Sequence, residues 1–519
     1  MTIGALASTL SQGAEAVLCS DELCLEVAGE VESVARYLAH NLGERADLVD
    51  LEDDETIFTS LDDFWNLLAK SFEPNPSSSS SITISFASED SRIALGLALG
   101  KFERNLVAGL QPFQKEASNH EAAIRGLLFN ITTFVRIEDP RFFSLQSVLT
   151  QLLSNIISPS SPDPGSDRLA DKYLRVYLSG KREDDVIIRL LDSRDVKTNH
   201  ATLYLLNNTT RGSPSRLELL LGDTGVRWCA KVLGKMDDWV EKNDGLFELG
   251  ASIFNAIINL ALHPRLFALL STPSEPLTPN QTVLLKVLDS HLSSSTSSTT
   301  CTSSSTPPNA FLIPLFHTLS TYAQFSIAQD VDDPRLPKVF EGLILVSEAL
   351  SSIGLTLQAS RDRGEVETRS EEEEIVGMMK DPDETNGVVK PIVDLLKSLD
   401  TFFPRLNPRS QPLPDSQPPD HLRPFSNLKL NLIQSLGILS YEDTSAGDQV
   451  RKAGGVELVL SMTEIDESNP YLREHALFCV RNLMLNNPSN QAIVKQMDPV
   501  GILSDDGEVL PLPDKMKKR

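Results

Sequence analysis

Residues Phe425 to Met497 read FSNLKLNLIQSLGILSYEDTSAGDQVRKAGGVELVLSMTEIDESNPYLREHALFCVRNLMLNNPSNQAIVKQM, and two segments within them answer each other. Ser435-Leu-Gly-Ile-Leu439 has the same rhythm as Cys479-Val-Arg-Asn-Leu483, and 44 residues (483 − 439) separate the two closing leucines. That period falls within the roughly 40 to 47 residues of armadillo and HEAT units, in which two or three helices make one layer of a solenoid. The last unit predicts three helices. A short one, Gln449 to Ala453, is broken by Gly454-Gly455, because glycine enters the left-handed conformation that closes a helix. A second spans Val456 to Met462. Ser468-Asn469-Pro470 then offers a cap and a first-turn proline for a third helix, Tyr471 to Asn486. On that helix Leu472, Ala476, Cys479, Val480 and Leu483 form one apolar stripe at the 3.6-residue period.

The run SNPYLREHALFCVRNLMLNNPSNQ (Ser468 to Gln491), together with the preceding LKLNLIQSLGILSY block, resembles the C-terminal signature domain of the ataxin-10 family, with a fungal member the expectation. Generic armadillo repeats share the alanine-to-asparagine-leucine spacing but not the Asn-Pro-x-x-Arg-Glu-His-Ala run. The chain departs from the family where Ile438 replaces an asparagine and where Gln434 stands near a position that is often basic. The resemblance implies a cytosolic, non-enzymatic protein-protein interaction scaffold linked to cell survival and cytokinesis. Some fungal relatives carry a copper-transport label. Copper(I) requires clustered soft ligands, whereas this chain has no Cys-x-x-Cys and a single methionine pair, Met378-Met379. No metal or cofactor is expected.

Upstream, the same grammar recurs. Ala122 to Ile131 reads as an armadillo-like third helix ending at Asn130, Ala201 to Asn208 as another, and Leu246 to Leu262 as a third with Asn259. Asn130, Asn207 and Asn259 stand 77 and 52 residues apart (207 − 130 and 259 − 207). Asparagine is a poor interior helix former, so its recurrence implies a job for the amide. It can bridge to the neighbouring repeat or hold an extended peptide on a concave face. Gly96 and Gly100 read as helix-packing glycines rather than a phosphate loop.

The fold class expected is all-α, an armadillo/HEAT-like right-handed helical solenoid with disordered insertions. Its divisions are a helical cap over 1–73, repeats over 82–289, further repeats over 309–404 with an acidic insertion over 360–387, the ataxin-10-like block over 425–503, and a tail over 504–519. The separators are a Pro/Ser linker at 74–81, a Ser/Thr/Pro tract at 293–308 and a segment at 407–424 with six prolines in eighteen residues.

The 519 residues carry a net charge of −25, which argues against nucleic acid as the main ligand because phosphate binding needs a basic surface. The tail Lys515-Met-Lys-Lys-Arg519 is too short a basic run to change that. No run reaches the roughly 18 apolar residues of a membrane span, and the N-terminus lacks a signal-peptide pattern. Five cysteines without metal spacing read as reduced thiols, so the expected location is the cytosol. Gly250-Ala-Ser-Ile-Phe254 lacks the last glycine of a nucleophile elbow, and the histidines form no paired motif, so no enzyme is expected.

The expected partners are other proteins, with self-association left open. The candidate contact stripe is Glu474, Phe478, Arg481 and Leu485, at offsets 0, 4, 7 and 11 beside the core stripe, with Asn482 adjacent. Aromatic and arginine side chains concentrate binding energy at interfaces. The rival reading is an armadillo-type transport receptor or adaptor, taking basic peptides on an acidic concave face.

Overall fold

The computed structural model describes residues 10, 13–41, 45, 54–73, 85–158, 168–242, 245–294, 307–329, 333–364, 370–383, 386–406, 419–497, 502–503 and 509–511. The chain divides into two compact units, 1–270 and 271–519. Each is an all-α, armadillo-like stack in which helices pair across a core and pile into two columns.

Unit 1 contains α1 (Ala14–Leu18), α2 (Asp21–His40), α3 (Asp54–Ser71), α4 (Glu89–Val107), α5 (Gln111–Ala117), α6 (Glu121–Ile131) and α7 (Pro140–Ile157). It continues with α8 (Arg168–Tyr177), α9 (Val186–Leu191), α10 (Val196–Thr210), α11 (Pro214–Leu219), α12 (Asp223–Lys242), α13 (Leu246–Asn259) and α14 (His263–Leu269). The first column is α2, α4, α7, α10 and α13, each packed on the next; the second is α3, α6, α9 and α12. Gly96 and Gly100 let α4 approach α7: a Cβ on Gly100 would stand 3.0 Å from Val148 Cγ1, and one on Gly96 would stand 3.4 Å from Leu145.

Unit 2 contains α15 (Pro279–Ser294), α16 (Leu312–Ala328), α17 (Leu336–Asp362), α18 (Glu371–Met379) and α19 (Val389–Phe402). After a 3-10 segment come α20 (Leu428–Leu439), α21 (Thr444–Lys452), α22 (Gly455–Ser461), α23 (Leu472–Met484) and α24 (Pro488–Gln496). Here α15, α17, α20 and α23 form the first column, and α16, α19 and the α21-α22 pair form the second. A two-residue antiparallel pairing, β1 (Ile502–Leu503) with β2 (Val509–Leu510), follows.

The last repeat follows its pattern with three corrections. Gly454 takes φ +72°, the left-handed turn between α21 and α22, and Leu472, Ala476, Cys479 and Leu483 are buried. First, α21 starts at Thr444, capped by Asp443, whose carboxylate accepts from the Ala446 amide at 3.0 Å. The polar run 444–449 hides that start from an apolar-period reading. Second, the Ser468-Asn469-Pro470 corner does not cap α23. The Ser468 hydroxyl donates to Asp466 at 2.6 Å and the Asn469 amide to the Ser426 carbonyl at 3.3 Å, so the corner is tied to the preceding elements instead. Third, Asn487-Pro488 both ends α23 and begins α24, with the Asn487 side chain accepting from the Asn490 amide at 3.1 Å.

The acidic insertion is also more ordered than its charge suggested. α18 is capped by Ser370 and buries Ile375, Val376 and Met379, because the apolar residues after the glutamate run fall on one face. Glu371 accepts from the Asn309 side chain at 3.0 Å, and burial raises its carboxyl above the ordinary range. The linker 74–81, most of the Ser/Thr/Pro tract, most of the proline-rich segment and the basic tail lie outside the described residues. Among the described residues one helix, α17, is long and apolar enough to cross a membrane, but most of that stretch is buried against its neighbours. Continuous apolar character here serves packing on several sides.

Candidate functional site: the exposed face of the first column in unit 2

Asparagine amides do bridge neighbouring helices, but the first-column ladder uses residues other than the three expected from the sequence. In unit 1 the Asn105 side chain donates to the Ala35 carbonyl at 2.9 Å, Asn155 to the Arg104 carbonyl at 3.1 Å, and Asn208 to the Ser154 hydroxyl at 2.8 Å. Each bond joins a first-column helix to the one before it. Asn207 reaches the other way, to the Leu249 carbonyl at 3.2 Å, and accepts from Ser252, the serine of the failed nucleophile elbow. The ladder is therefore 105, 155 and 208 rather than 130, 207 and 259. Asn130 lies on α6 in the second column, where its amide binds the Ala69 carbonyl at 2.9 Å, and Asn259 is exposed. The signal at three of the four positions is an asparagine near a helix C-terminus followed by apolar residues, as in Arg104-Asn105-Leu106-Val107 and Arg481-Asn482-Leu483-Met484, whereas Asn208 is followed by Thr209-Thr210.

On α23 the candidate residues separate by role. Asn482 belongs to the ladder, its amide donating to the Gly437 carbonyl on α20 at 2.9 Å. Glu474, Phe478, Arg481 and Leu485 are all exposed and lie opposite the buried stripe rather than beside it, because at about 100° per residue they sit roughly half a turn from Leu472 and Ala476. Phe478 is 63% and Leu485 39% exposed, and Tyr471, 67% exposed, extends the same line by about one turn. His475, beside Glu474, is half-buried. α23 is the last helix of its column among the described residues.

The neighbouring helices carry a groove that sequence reasoning missed. About 280 Å³ in volume, it is lined by Asp289 and Ser293 of α15, Glu348, Ser352 and Leu355 of α17, and Asn431 of α20. Asn431 donates to the Glu348 carboxylate at 3.0 Å, while Ser351 and Ser435 share a buried hydrogen bond of 2.9 Å. Burial raises the Asp289 carboxyl above its ordinary value. Burial does the same to Glu348, the Asp289 charge adds to the shift, and the Asn431 bond opposes it. The available signal was Glu348 itself, a lone carboxylate inside the apolar run Leu343-Ile-Leu-Val-Ser-Glu-Ala-Leu350. Among the described residues no group of three or more His, Cys, Asp or Glu side chains is placed to hold a metal ion. Met379 is core.

Residues 428–511, from the first residue of α20 through the small β pairing, match the family model described as the spinocerebellar ataxia type 10 protein domain. Over these residues the chain carries the domain that characterises the ataxin-10 family. It is 40% identical over 86 residues to the ataxin-10 homolog of Kluyveromyces lactis, covering 17% of this chain and 16% of that protein. It is 32% identical over 113 residues to the homolog of Candida albicans, covering 22% and 24%. The ataxin-10 of Xenopus tropicalis is 35% identical over 74 residues, covering 14% and 15%. The similarity thus spans less than a quarter of the length of each of these relatives.

Proposed function

We propose that the protein is a non-enzymatic protein-protein interaction scaffold of the ataxin-10 family whose docking surface is the exposed face of α23. The observation that carries the reading is Phe478, an exposed aromatic between Glu474 and Arg481 on a helix whose amide and apolar contacts are already engaged on its other sides. Large apolar side chains exposed together mark interaction sites, and aromatic and arginine residues supply most of the binding energy in such patches. The cellular setting, cytosolic cytokinesis and cell-survival signalling, follows from the family resemblance.

The test is affinity capture of the full chain beside a Phe478→Ala/Arg481→Glu variant, after circular dichroism confirms that the variant is folded. Loss of one or more partners from the variant, by about thirtyfold or more for a two-residue hot spot, supports the reading. An unchanged partner set contradicts it.

A further inference from the structure

Arg104 of α4 differs from four other half-buried arginines of unit 1. Arg125 meets Glu121 at 3.0 Å and Arg136 meets Glu89 at 3.0 Å, while Arg92 and Arg189 lie over the rings of Phe72 and Phe129 at 4.6 and 4.1 Å. Arg104 has only neutral amide oxygens. Its Nε and Nη2 donate to the Asn105 side chain at 3.1 and 3.0 Å, and its Nη1 donates to Gln151. Among the described residues it pairs with no carboxylate; Glu32 of α2, which acts on it from further off, is already bound by Lys101 at 3.0 Å. One N–H is left on each terminal nitrogen, the pair that a bidentate carboxylate takes.

Arg104 lines a cleft of about 290 Å³ between α4, α7 and α10, with Ser154, His200, Tyr204 and Asn208 on its walls. Ser154 is 4% exposed; its hydroxyl accepts from the Asn208 amide at 2.8 Å, and its own proton finds no acceptor among the described residues. A buried donor without an acceptor costs free energy that a ligand oxygen would recover. The walls carry no competing anion. α7 and α10 contain no Asp or Glu in their 18 and 15 residues, although 72 of the chain's 519 residues are acidic.

We infer that the cleft lined by Arg104, Ser154 and Tyr204 receives an aspartate or glutamate side chain from an extended segment of a partner protein. Charge complementarity selects the occupant, because a guanidinium without a carboxylate and a buried hydroxyl donor from different helices converge on one small space. The neighbouring amides suit a peptide. Asn155 and Asn208 each spend one N–H on bridging, to the Arg104 carbonyl at 3.1 Å and to Ser154, and each keeps a second N–H and a carbonyl oxygen, the donor and acceptor that an extended main chain needs. The His200 and Tyr204 rings stack at 6.5 Å, and Tyr204, 53% exposed, offers its face to the methylene carbons of the acidic side chain. The site lies wholly within unit 1 and does not depend on the α23 reading.

The test titrates the full chain with a fluorescein-labelled nonapeptide of alternating glutamate and alanine, read by fluorescence anisotropy. Its control has glutamine in place of each glutamate. A chain of net charge −25 repels the glutamate peptide as a whole, so non-specific electrostatics would favour the control. The variants, each checked for fold by circular dichroism, are Arg104→Gln, which removes the charge, and Arg104→Lys, which keeps it. Lys242→Gln, at an exposed position of α12 in the second column, makes the same change of net charge elsewhere.

The expected result is that the wild type binds the glutamate peptide at least about fivefold tighter than the glutamine peptide. Arg104→Gln removes that preference, Arg104→Lys keeps at least about half of it, and Lys242→Gln leaves it within about twofold, the size of effect expected from a distant screened charge. No preference in the wild type, or a loss in Arg104→Gln matched by either Arg104→Lys or Lys242→Gln, overturns the cleft as a carboxylate site. Displacement of the peptide by equimolar free glutamate or inorganic phosphate would make it a small-anion site and overturn the peptide assignment. The titration can fail while partner capture through Phe478 and Arg481 stands, and capture can fail while the titration succeeds, so the two readings are separately exposed.

Discussion

The side-chain amide of Asn482 donates to the main-chain carbonyl of Gly437 at 2.9 Å, tying the last helix of the first column to the one before it. At Gly437 the two helices come close: a Cβ there would lie 3.5 Å from the Cα of Cys479. Asn482→Ala removes a side-chain donor to that carbonyl and is expected to loosen the α20-α23 contact by about 1 to 2 kcal/mol. Hydrogen exchange in peptides covering 428–439 and 472–484 should speed up by roughly tenfold. Partner capture should persist, because the amide faces α20 rather than solvent.

A second expectation concerns Lys429, buried in the family domain. Its ammonium donates to the Phe403 carbonyl at 2.8 Å and lies 3.6 Å from Asp400 and 3.9 Å from Asp466. Asp466 in turn accepts from the Leu406 amide at 3.1 Å, fastening the strand-like stretch after α19 to the corner before α23. Lys429→Met leaves the buried Asp466 without its cation and Asp400 with Arg405 alone, at 3.3 Å, and should destabilise unit 2 by about 3 kcal/mol. Thermal unfolding by circular dichroism measures it. Adding Asp400→Asn and Asp466→Asn should recover part of the loss, which a simple packing defect would not allow.

Unit 1 carries a pH dependence of definite sign. His120 is buried with Nδ1 2.7 Å from a Glu103 carboxylate oxygen and Nε2 2.9 Å from the Phe58 carbonyl. Both neighbours are acceptors, so the ring satisfies them only as an imidazolium. Burial pushes its pKa down, but the Glu103 charge and the two hydrogen bonds outweigh that and hold it above the ordinary value. A histidine with a raised folded pKa contributes stability that is fully present below its unfolded value, about 6.5, and is lost as pH rises through the folded value. Unit 1 should therefore lose stability as pH rises above about 6.5, and His120→Gln should flatten that loss. All three tryptophans lie in unit 1, and the Trp65 indole donates to Glu103 at 2.6 Å. Tryptophan fluorescence in urea series at each pH reads the effect directly.

Much of the repeat grammar was legible because it depends on local spacing. The Gly454 turn and the buried stripe Leu472, Ala476, Cys479 and Leu483 follow from helix period and backbone freedom alone. Asn482 was visible only as a residue adjacent to the contact stripe, and its bridging role needed the neighbouring helix. Charge misled in one place, since Glu371 to Glu374 stand at the start of a packed helix where their charges favour the N-terminus. The groove was not legible. Asp289, Glu348 and Asn431 lie 59 and 83 residues apart in sequence (348 − 289 and 431 − 348), and only stacking of three helices brings them together.

The most direct test of the docking surface replaces Phe478 with the photo-crosslinking residue p-benzoylphenylalanine in cells expressing the full chain. The same replacement at Glu457, exposed on α22 in the second column, is the control. The scaffold account predicts discrete partner adducts at position 478 and none at position 457. An absence of adducts at 478, or the same adducts at both positions, would contradict it.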